Sequence, residues 1–453
     1  MSPNACCPSP SGEAEDDLPV AVIGAGPVGL AAAAHLAARD REAVVLEAGP
    51  GPGASVREWS HVRLFSPWEL CIDPVAREML ENAGWEPPPD DELPTGGELV
   101  RRYLEPLAEL PALRSMIRWE HRVEGVSREG RDRLKGASRS ERSDAPFVVR
   151  YEAGGRPGRL LARAVIDASG TWTRPRPLGA DGLPARGERE ASGRIDYGLP
   201  DVLDADRDRY AGKRTAVVGA GHSAANVLLD LARLKREAPG TDPLWVLRGG
   251  PPGNVFRDDG DEQDELEARG ALERRLRELV EAGPVRMVTG FGTRAVRSHG
   301  EGVTLTDGGG RSIDVDRVVG VTGFRPDLAM LRELRLDLDP ATGAPRDLGP
   351  LIDPNVHSCG TVPPHGEEEL RHPEPGFYIV GMKAYGRAPT FLLPTGYEQV
   401  RSVVAALAGD RDAAGRVELE LPETGVCSAD AALAADGECG TASAADGREV
   451  RRG

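Results

Sequence analysis

Three glycines spaced as Gly24-Ala25-Gly26-Pro27-Val28-Gly29 separate a short apolar run, Val20 to Ile23, from an alanine-rich stretch, and Glu47 closes the next apolar run, Ala43 to Leu46. At this spacing the first glycine permits a tight turn, the second lets a pyrophosphate approach the backbone, and the third lets helix and strand pack closely. The unpaired N–H groups of the helix start attract phosphate. An acid about twenty residues on can accept bonds from ribose hydroxyls. The pattern recurs as Gly219-Ala220-Gly221-His222-Ser223-Ala224, with alanine as the third small residue. Arg248, rather than an acid, follows its second strand, Leu244 to Leu247. An arginine there suits a 2′-phosphate that a carboxylate would repel, which favours NADPH over NADH.

The elements that must hold these residues read as two strand–helix–strand units in an α/β chain. Residues 1 to 17 are polar and Pro/Ser-rich, so a disordered lead-in is expected. After the first unit comes a Gly/Pro-punctuated loop carrying Trp59, His61, Arg63, Phe65, Ser66 and Trp68, a concentration in a chain with only 4% aromatics. Those rings either line a pocket beside the nucleotide or pin the loop to the core. Asp73 to Leu110 reads as helical with a break from Gly84 to Gly97. Strands are expected at Val123 to Val126, Phe147 to Tyr151 and Leu160 to Asp167, with Arg128 to Asp144 a solvated insertion. The last of these strands runs into Asp167-Ala168-Ser169-Gly170. In the second unit an amphipathic helix spans Asp261 to Ala282. Short strands follow at Arg286 to Val288, Thr304 to Thr306 and Arg317 to Val321, the last leaving through Thr322-Gly323-Phe324-Arg325-Pro326. A strand at Phe377 to Val380, a helix from Tyr397 to Leu407 and a flexible tail from Asp410 complete the plan.

A chain of 453 residues has room for two or three domains. Its net charge of -17 argues against nucleic acid or an anionic membrane as partner. No run approaches the roughly 18 apolar residues of a membrane span, and the first residues lack a secretory leader's pattern, so the expected location is the cytoplasm. The cysteines, Cys6, Cys7, Cys71, Cys359, Cys427 and Cys439, form neither a secreted disulfide framework nor a CxxC redox pair. His357, Cys359, His365 and His372 fit no zinc spacing, and no metal site is expected. His365 and His372 are candidates for pocket lining or proton handling, because imidazole titrates near neutrality. His35 reads as a helix residue only.

Together the two fingerprints, Glu47, the Asp167–Gly170 turn, Arg248, the exit at Thr322-Gly323 and the strand and helix after Gly381 resemble the FAD- and NADPH-dependent two-dinucleotide-fold flavoproteins. More closely, residues 18 to 408 resemble the flavin-containing and Baeyer–Villiger monooxygenase superfamily. Gly53 to Pro67, the stretch Pro94-Thr-Gly-Gly-Glu-Leu-Val, Pro364-His-Gly to His372 and Tyr385-Gly-Arg-Ala-Pro further resemble a bacterial subgroup associated with arsenic resistance. The resemblance implies two Rossmann-like domains of three-layer β/β/α type, an FAD domain (18–174 and 325–408) with an inserted NADPH domain (175–324), and a C-terminal tail (409–453).

FAD would be held by Gly24, Gly26, Pro27, Val28, Gly29, Glu47, Trp59, Arg63, Ala168, Gly170, Gly381 and Gln399. The start of the helix after Pro394 would face the isoalloxazine. NADPH would be held by Gly219, Gly221, His222, Ser223, Ala224 and Arg248. Arg63, Ser66, His365 and His372 would be the catalytic candidates. The implied reaction passes oxygen from a C4a-(hydro)peroxyflavin to a sulfur, nitrogen or arsenic centre, with a small molecule and O2 as partners; a homo-oligomer is compatible with the sequence. The superfamily's F-x-G-x-x-x-H signature is missing, since the corresponding stretch reads GLPARGEREASGRIDYGLPDV. Two alternatives stand beside the oxygenase. One is an NADPH-dependent reductase or oxidase without oxygen insertion. The other is a non-catalytic flavoprotein binding a thiophilic metalloid through the cysteines of its ends.

Overall fold

A computed structural model of the chain describes residues 18–134, 142–251, 267–355, 362–389 and 391–419. The first part runs β1 (Val20–Ile23), α1 (Pro27–Ala37), β2 (Ala43–Leu46), α2 (Pro74–Asn82) and β3 (Ile117–Arg118), then β4 (His121–Arg128), β5 (Phe147–Ala153), β6 (Arg156–Ala162) and β7 (Ala164–Asp167). The second part runs β8 (Ile195–Tyr197), β9 (Arg214–Val218), α3 (His222–Glu237), β10 (Asp242–Val246) and α4 (Glu267–Glu281), then β11 (Arg286–Val288), β12 (Thr293–His299), β13 (Gly302–Asp307), β14 (Ser312–Val315) and β15 (Arg317–Gly320). The chain closes with β16 (Phe377–Ile379), α5 (Leu393–Leu407) and α6 (Arg411–Gly415).

Two parallel sheets result, in the orders β16-β7-β1-β2-β3 and β11-β10-β9-β15-β8. All four residues of β1 are buried, as expected for a parallel strand covered on both faces. Register sets Val20 against Ala43 and Ala164, and Phe377 against Val165. Ile23, Leu46, Asp167 and Ile379 therefore end along one edge of the first sheet. In the second sheet Val218 lies beside Val246 and Gly320. That sheet separates two cores. Val217, Trp245 and Val319 pack towards α3 and α4, whereas Ala216, Val218, Leu244, Val246 and Val318 pack towards the β12–β14 meander. The side chains of adjacent strand residues point to opposite faces, so this split is the three-layer β/β/α arrangement expected from the sequence.

Several boundaries differ from the sequence reading. The stretch Leu160 to Asp167 is not one strand: the chain leaves the β4–β6 meander after Ala162 and joins the parallel sheet at Ala164. β12 and β14 fall outside the expected strands because they are charged on their open sides. The insertion after Arg128 is anchored rather than solvated at its ends. Arg128 and Arg142 each donate to the buried carboxylate of Glu374 at 2.9 Å; the segment between them, 135–141, lies outside the described residues. The last long helix starts at Leu393, not Tyr397. The tail begins later than Asp410, because Asp410 caps α6 and Ala413 and Ala414 are buried. Of the amphipathic helix, Glu267–Glu281 is described, with Leu276 buried. Among the described residues no helix is long and apolar enough to cross a membrane.

Candidate functional site

At the strand-end edge of the first sheet, the glycine turn is tight enough that its residue types are forced. Gly24 has φ +99°, and a Cβ there would meet the Ala168 carbonyl oxygen at 2.9 Å. A Cβ on Gly29 would come to 1.9 Å of the Gly24 oxygen. Gly26 differs, since a Cβ there would meet nothing within 4 Å. This open space adjoins the start of α1, whose N-cap carries no side-chain bond, so its first N–H groups face a volume suited to a diphosphate. The Glu47 carboxylate accepts from Ala25 N at 2.6 Å and from Gly49 N at 2.7 Å, which holds it beside the turn at the end of β2.

Val28 gathers the rest of the seat. A Cβ on Gly381 (φ +69°) would meet its side chain at 3.2 Å, and one on Gly396 would meet it at 2.7 Å. The β16 exit and the first turn of α5 thus both press against the first turn of α1; a side chain on Gly396 would force a shift, and one on Gly381 would be strained by its positive φ. Gln399 fixes the exit: its Oε1 accepts from Gly381 N at 2.7 Å, and its Nε2 faces His365 Nε2 at 3.0 Å. The Gly381 bond orients the amide, so His365 Nε2 accepts while its Nδ1 donates to the Pro363 oxygen at 3.1 Å. Burial pushes this imidazole down, and both nitrogens are engaged. His365, a candidate for pocket lining or proton handling, is thus held between the Pro363 carbonyl and Gln399.

His372, the other candidate, lies elsewhere. It stacks on Phe377 at 5.9 Å, the residue that opens β16, and so sits at the edge opposite the nucleotide turn. Its Nδ1 accepts from Asp337 N at 3.3 Å, and burial pushes the ring down to about 4. Arg63 is exposed and braces the loop by donating to the Leu93 oxygen, with Glu98 at 3.9 Å. Ser66 is buried, and its carbonyl accepts from the Cys71 thiol at 3.5 Å. Trp59 covers Gly96, where a Cβ would strike the ring at 2.6 Å, and lies 6.3 Å from Trp172. Gly170 (φ +69°) borders open space.

In the second sheet Gly219 has φ +144°, and a Cβ there would reach 2.2 Å from the Val321 oxygen. Gly221 borders open space at the uncapped start of α3. The third small position, Ala224, is buried, and Ser223 is half-buried beside it. Arg248 is exposed after β10, donating to the Ala180 oxygen at 3.2 Å. His222 pairs with Glu273 at 3.1 Å and lies 5.3 Å from the ring of Phe65, so the loop of the first unit touches the phosphate turn of the second.

Two linkers join the units side by side. Arg325 N donates to the Arg174 oxygen at 3.0 Å and Arg176 N to the Gly323 oxygen at 2.8 Å, while Trp172 stacks on Phe324 at 4.8 Å. Between the linkers lies a cleft of about 440 Å³ lined by Thr173, Arg174, Pro175, Arg325, Pro326 and Asp327. Where the monooxygenase signature would fall, the chain builds a structural clasp instead: buried Glu188 accepts from Leu178 N at 3.0 Å and Ala185 N at 2.6 Å. His357 and Cys359 lie outside the described residues, as do Cys6, Cys7, Cys427 and Cys439. Among the described residues no cluster of metal ligands occurs. Sequence reasoning passed over the buried pair Asp167–Lys383 at 2.6 Å, although a lysine two residues after Gly381 in a chain with few lysines was a signal.

Comparisons with known proteins fit this geometry. A model of the pyridine nucleotide-disulphide oxidoreductase family matches residues 18–369. The chain is similar to a flavin-containing monooxygenase of Arabidopsis thaliana, 26% identical over 247 residues, which are 48% of this chain and 48% of that relative. It is also similar to a ferredoxin–NADP reductase of Albidiferax ferrireducens, 24% identical over 323 residues, 70% of this chain and 73% of the relative. The match to the first of these relatives thus spans about half its length. A solved bacillithiol disulfide reductase of Bacillus cereus shares the fold with a TM-score of 0.60 at 20% identity, covering 86% of this chain and 99% of that one.

Proposed function

The chain belongs to the pyridine nucleotide-disulphide oxidoreductase family, and from that premise we propose that it is an FAD-dependent, NADPH-using monooxygenase. Its substrate is a small molecule with a soft nucleophilic centre, sulfur, nitrogen or arsenic. Residues 18–174 and 325–408 hold FAD, and 175–324 hold NADPH. The observation that supports the oxygenase reading is the similarity to a flavin-containing monooxygenase over 247 residues. Cys71 is the cysteine of the described residues; it is buried, and burial pushes its thiol up to about 12. Such a thiol is a poor nucleophile at neutral pH, so Cys71 itself is not suited to thiol–disulfide exchange.

When bound, FAD supplies two electrons taken from NADPH to O2, one oxygen atom going to the substrate and the other leaving as water. The chain's own residues bind and orient. Gly24, Gly26 and Gly29 with the start of α1 seat the diphosphate, and Glu47 holds the ribose. Pro27, Val28, Ala168, Gly170, Gly381 and Gln399 shape the passage towards α5. Gly219, Gly221, His222, Ser223 and Ala224 seat the NADPH diphosphate, and Arg248 takes the 2′-phosphate. Trp59, Trp172 and Phe324 pack in sequence where the two units meet.

The relative that names a ferredoxin–NADP reductase favours a second reading, electron transfer to an acceptor without oxygen insertion. Incubation of the purified protein with NADPH, labelled O2 and a panel of thiols, amines and arsenite separates the two. Label in a product is expected. Stoichiometric hydrogen peroxide with every compound would sink the oxygenase reading, and reduction of ferredoxin without O2 consumption would establish the alternative.

A further inference from the structure

Lys383 and Asp167 are both fully buried, and the Nζ–Oδ2 distance is 2.6 Å. Lys383 also donates to the Ser169 hydroxyl at 3.0 Å, and that hydroxyl in turn donates to Asp167 Oδ1 at 2.6 Å. The backbone N–H of Ser169 donates to the same oxygen at 3.1 Å. Asp167 is therefore fixed on both oxygens, while the described partners of the ammonium account for two of its three donors.

The pair stands at the strand-end edge of the first sheet. Asp167 lies opposite Ile23, the residue before Gly24, and its carbonyl accepts from Val380 N at 3.0 Å. The next carbonyl, that of Ala168, is the one a Cβ on Gly24 would strike, and Gly381, two residues before Lys383, rests on Val28. Both partners thus belong to the turns that build the dinucleotide seat. A buried ion pair contributes little net stability, because desolvation offsets most of the attraction, and apolar residues of similar size would serve the fold as well. Its charge acts strongly on whatever is seated nearby, since screening by water is weak there.

We propose that Lys383, held in place by Asp167 and Ser169, sets the reduction potential of the flavin bound at this edge. Two electrons and one proton from NADPH leave the flavin one unit more negative and NADP+ as the oxidised product. A buried cation beside the seat stabilises that negative form, and Asp167 moderates it. The inference rests on the FAD reading above and assigns Lys383 a positioning and electrostatic role.

The test compares anaerobic reductive titrations, read from the flavin spectrum against a reference dye, for the holoprotein and its variants. Asp167→Asn leaves the ammonium uncompensated and is expected to raise the potential. Lys383→Met leaves the carboxylate uncompensated and is expected to lower it. Each shift should be at least tenfold in the reduced-to-oxidised ratio, about 30 mV for a two-electron couple. A purely structural pair gives no such opposition of sign: shifts in one direction, or none, overturn the proposal. If either single variant fails to fold, the double variant Asp167→Asn with Lys383→Met leaves no orphaned charge. Its potential should fall, by less than that of Lys383→Met, and a wild-type potential there overturns the proposal as well. Wild-type protein that binds no FAD would instead sink the parent reading.

Discussion

The two glycine turns share a plan and differ in how deeply they are enclosed. In the first unit every residue of α1 from Val28 to Leu36 is buried, and α5 and the Gly381 exit press on its first turn. In the second unit α3 has one buried side, with Ala224, Leu228 and Leu231 inward and Lys235 and Arg236 near its end. The acid of the first unit is tied to the backbone on both oxygens, while the arginine of the second is exposed. Enclosure of this kind suits a resident cofactor that stays through many turnovers; an open turn with an exposed cation suits a co-substrate that must leave each time.

The contrast breaks most readily at the third small position. Gly29→Ala drives a methyl to 1.9 Å from the Gly24 oxygen, a backbone atom that cannot yield cheaply. The expected cost is at or above about 3 kcal/mol, the upper part of the overpacking range. The variant should purify without flavin and melt lower, as read by the 450 nm band and by calorimetry. The next effect uses the histidines. His222 of the open unit is half-exposed and has Glu273 for a partner, whereas His372 of the enclosed unit is buried and pushed down to about 4 from an ordinary 6.5. As pH falls below 6.5 the unfolded chain takes up the proton first, so stability drops until the folded form also protonates near pH 4. Over that window His372 removes roughly 3 kcal/mol. His372→Phe, which keeps a ring on Phe377, should flatten this part of the stability profile in urea titrations between pH 7 and 4. An unchanged slope would show that another group carries the acid sensitivity.

Both turns were legible because their chemistry is local: a strand, a glycine spacing and a helix start lie within thirty residues, and backbone geometry dictates the residue types. The strand end at Asp167 was legible for the same reason, and the one expected at Val321 falls one residue earlier, at Gly320. What escaped depends on partners distant in sequence. Arg128 and Arg142 read as loop charges until Glu374, more than two hundred residues on, folds beneath them. Asp167 and Lys383 are separated by 216 positions, and Gly396 looks like any helix glycine until Val28 is placed against it. The burial of His365 and His372, which pushes both imidazoles down, was likewise not legible. The exposed strands β12 and β14 carry charges that hide their alternation.

Smaller effects sharpen the comparison from the open side. Arg248→Gln removes the charge expected to meet the 2′-phosphate, a charge-assisted bond of about 1.5–3 kcal/mol. The NADPH dissociation constant should rise about tenfold or more by fluorescence titration, with that for NADH nearly unchanged; an equal loss for both would assign Arg248 to the loop contact with Ala180 rather than to the phosphate. The mildest expected change is Ala224→Gly, the counterpart of Gly29→Ala. Here a methyl is removed from a buried position in the first turn of a helix, so nothing clashes and the loss is about 1 kcal/mol of helix propensity plus a small contact. The melting temperature should fall by about 2–4 °C, with flavin content and NADPH affinity retained. If this variant instead loses NADPH as completely as Gly29→Ala loses flavin, the second turn is as tightly built as the first, and the distinction between a resident cofactor and an exchanging co-substrate must rest on something other than enclosure.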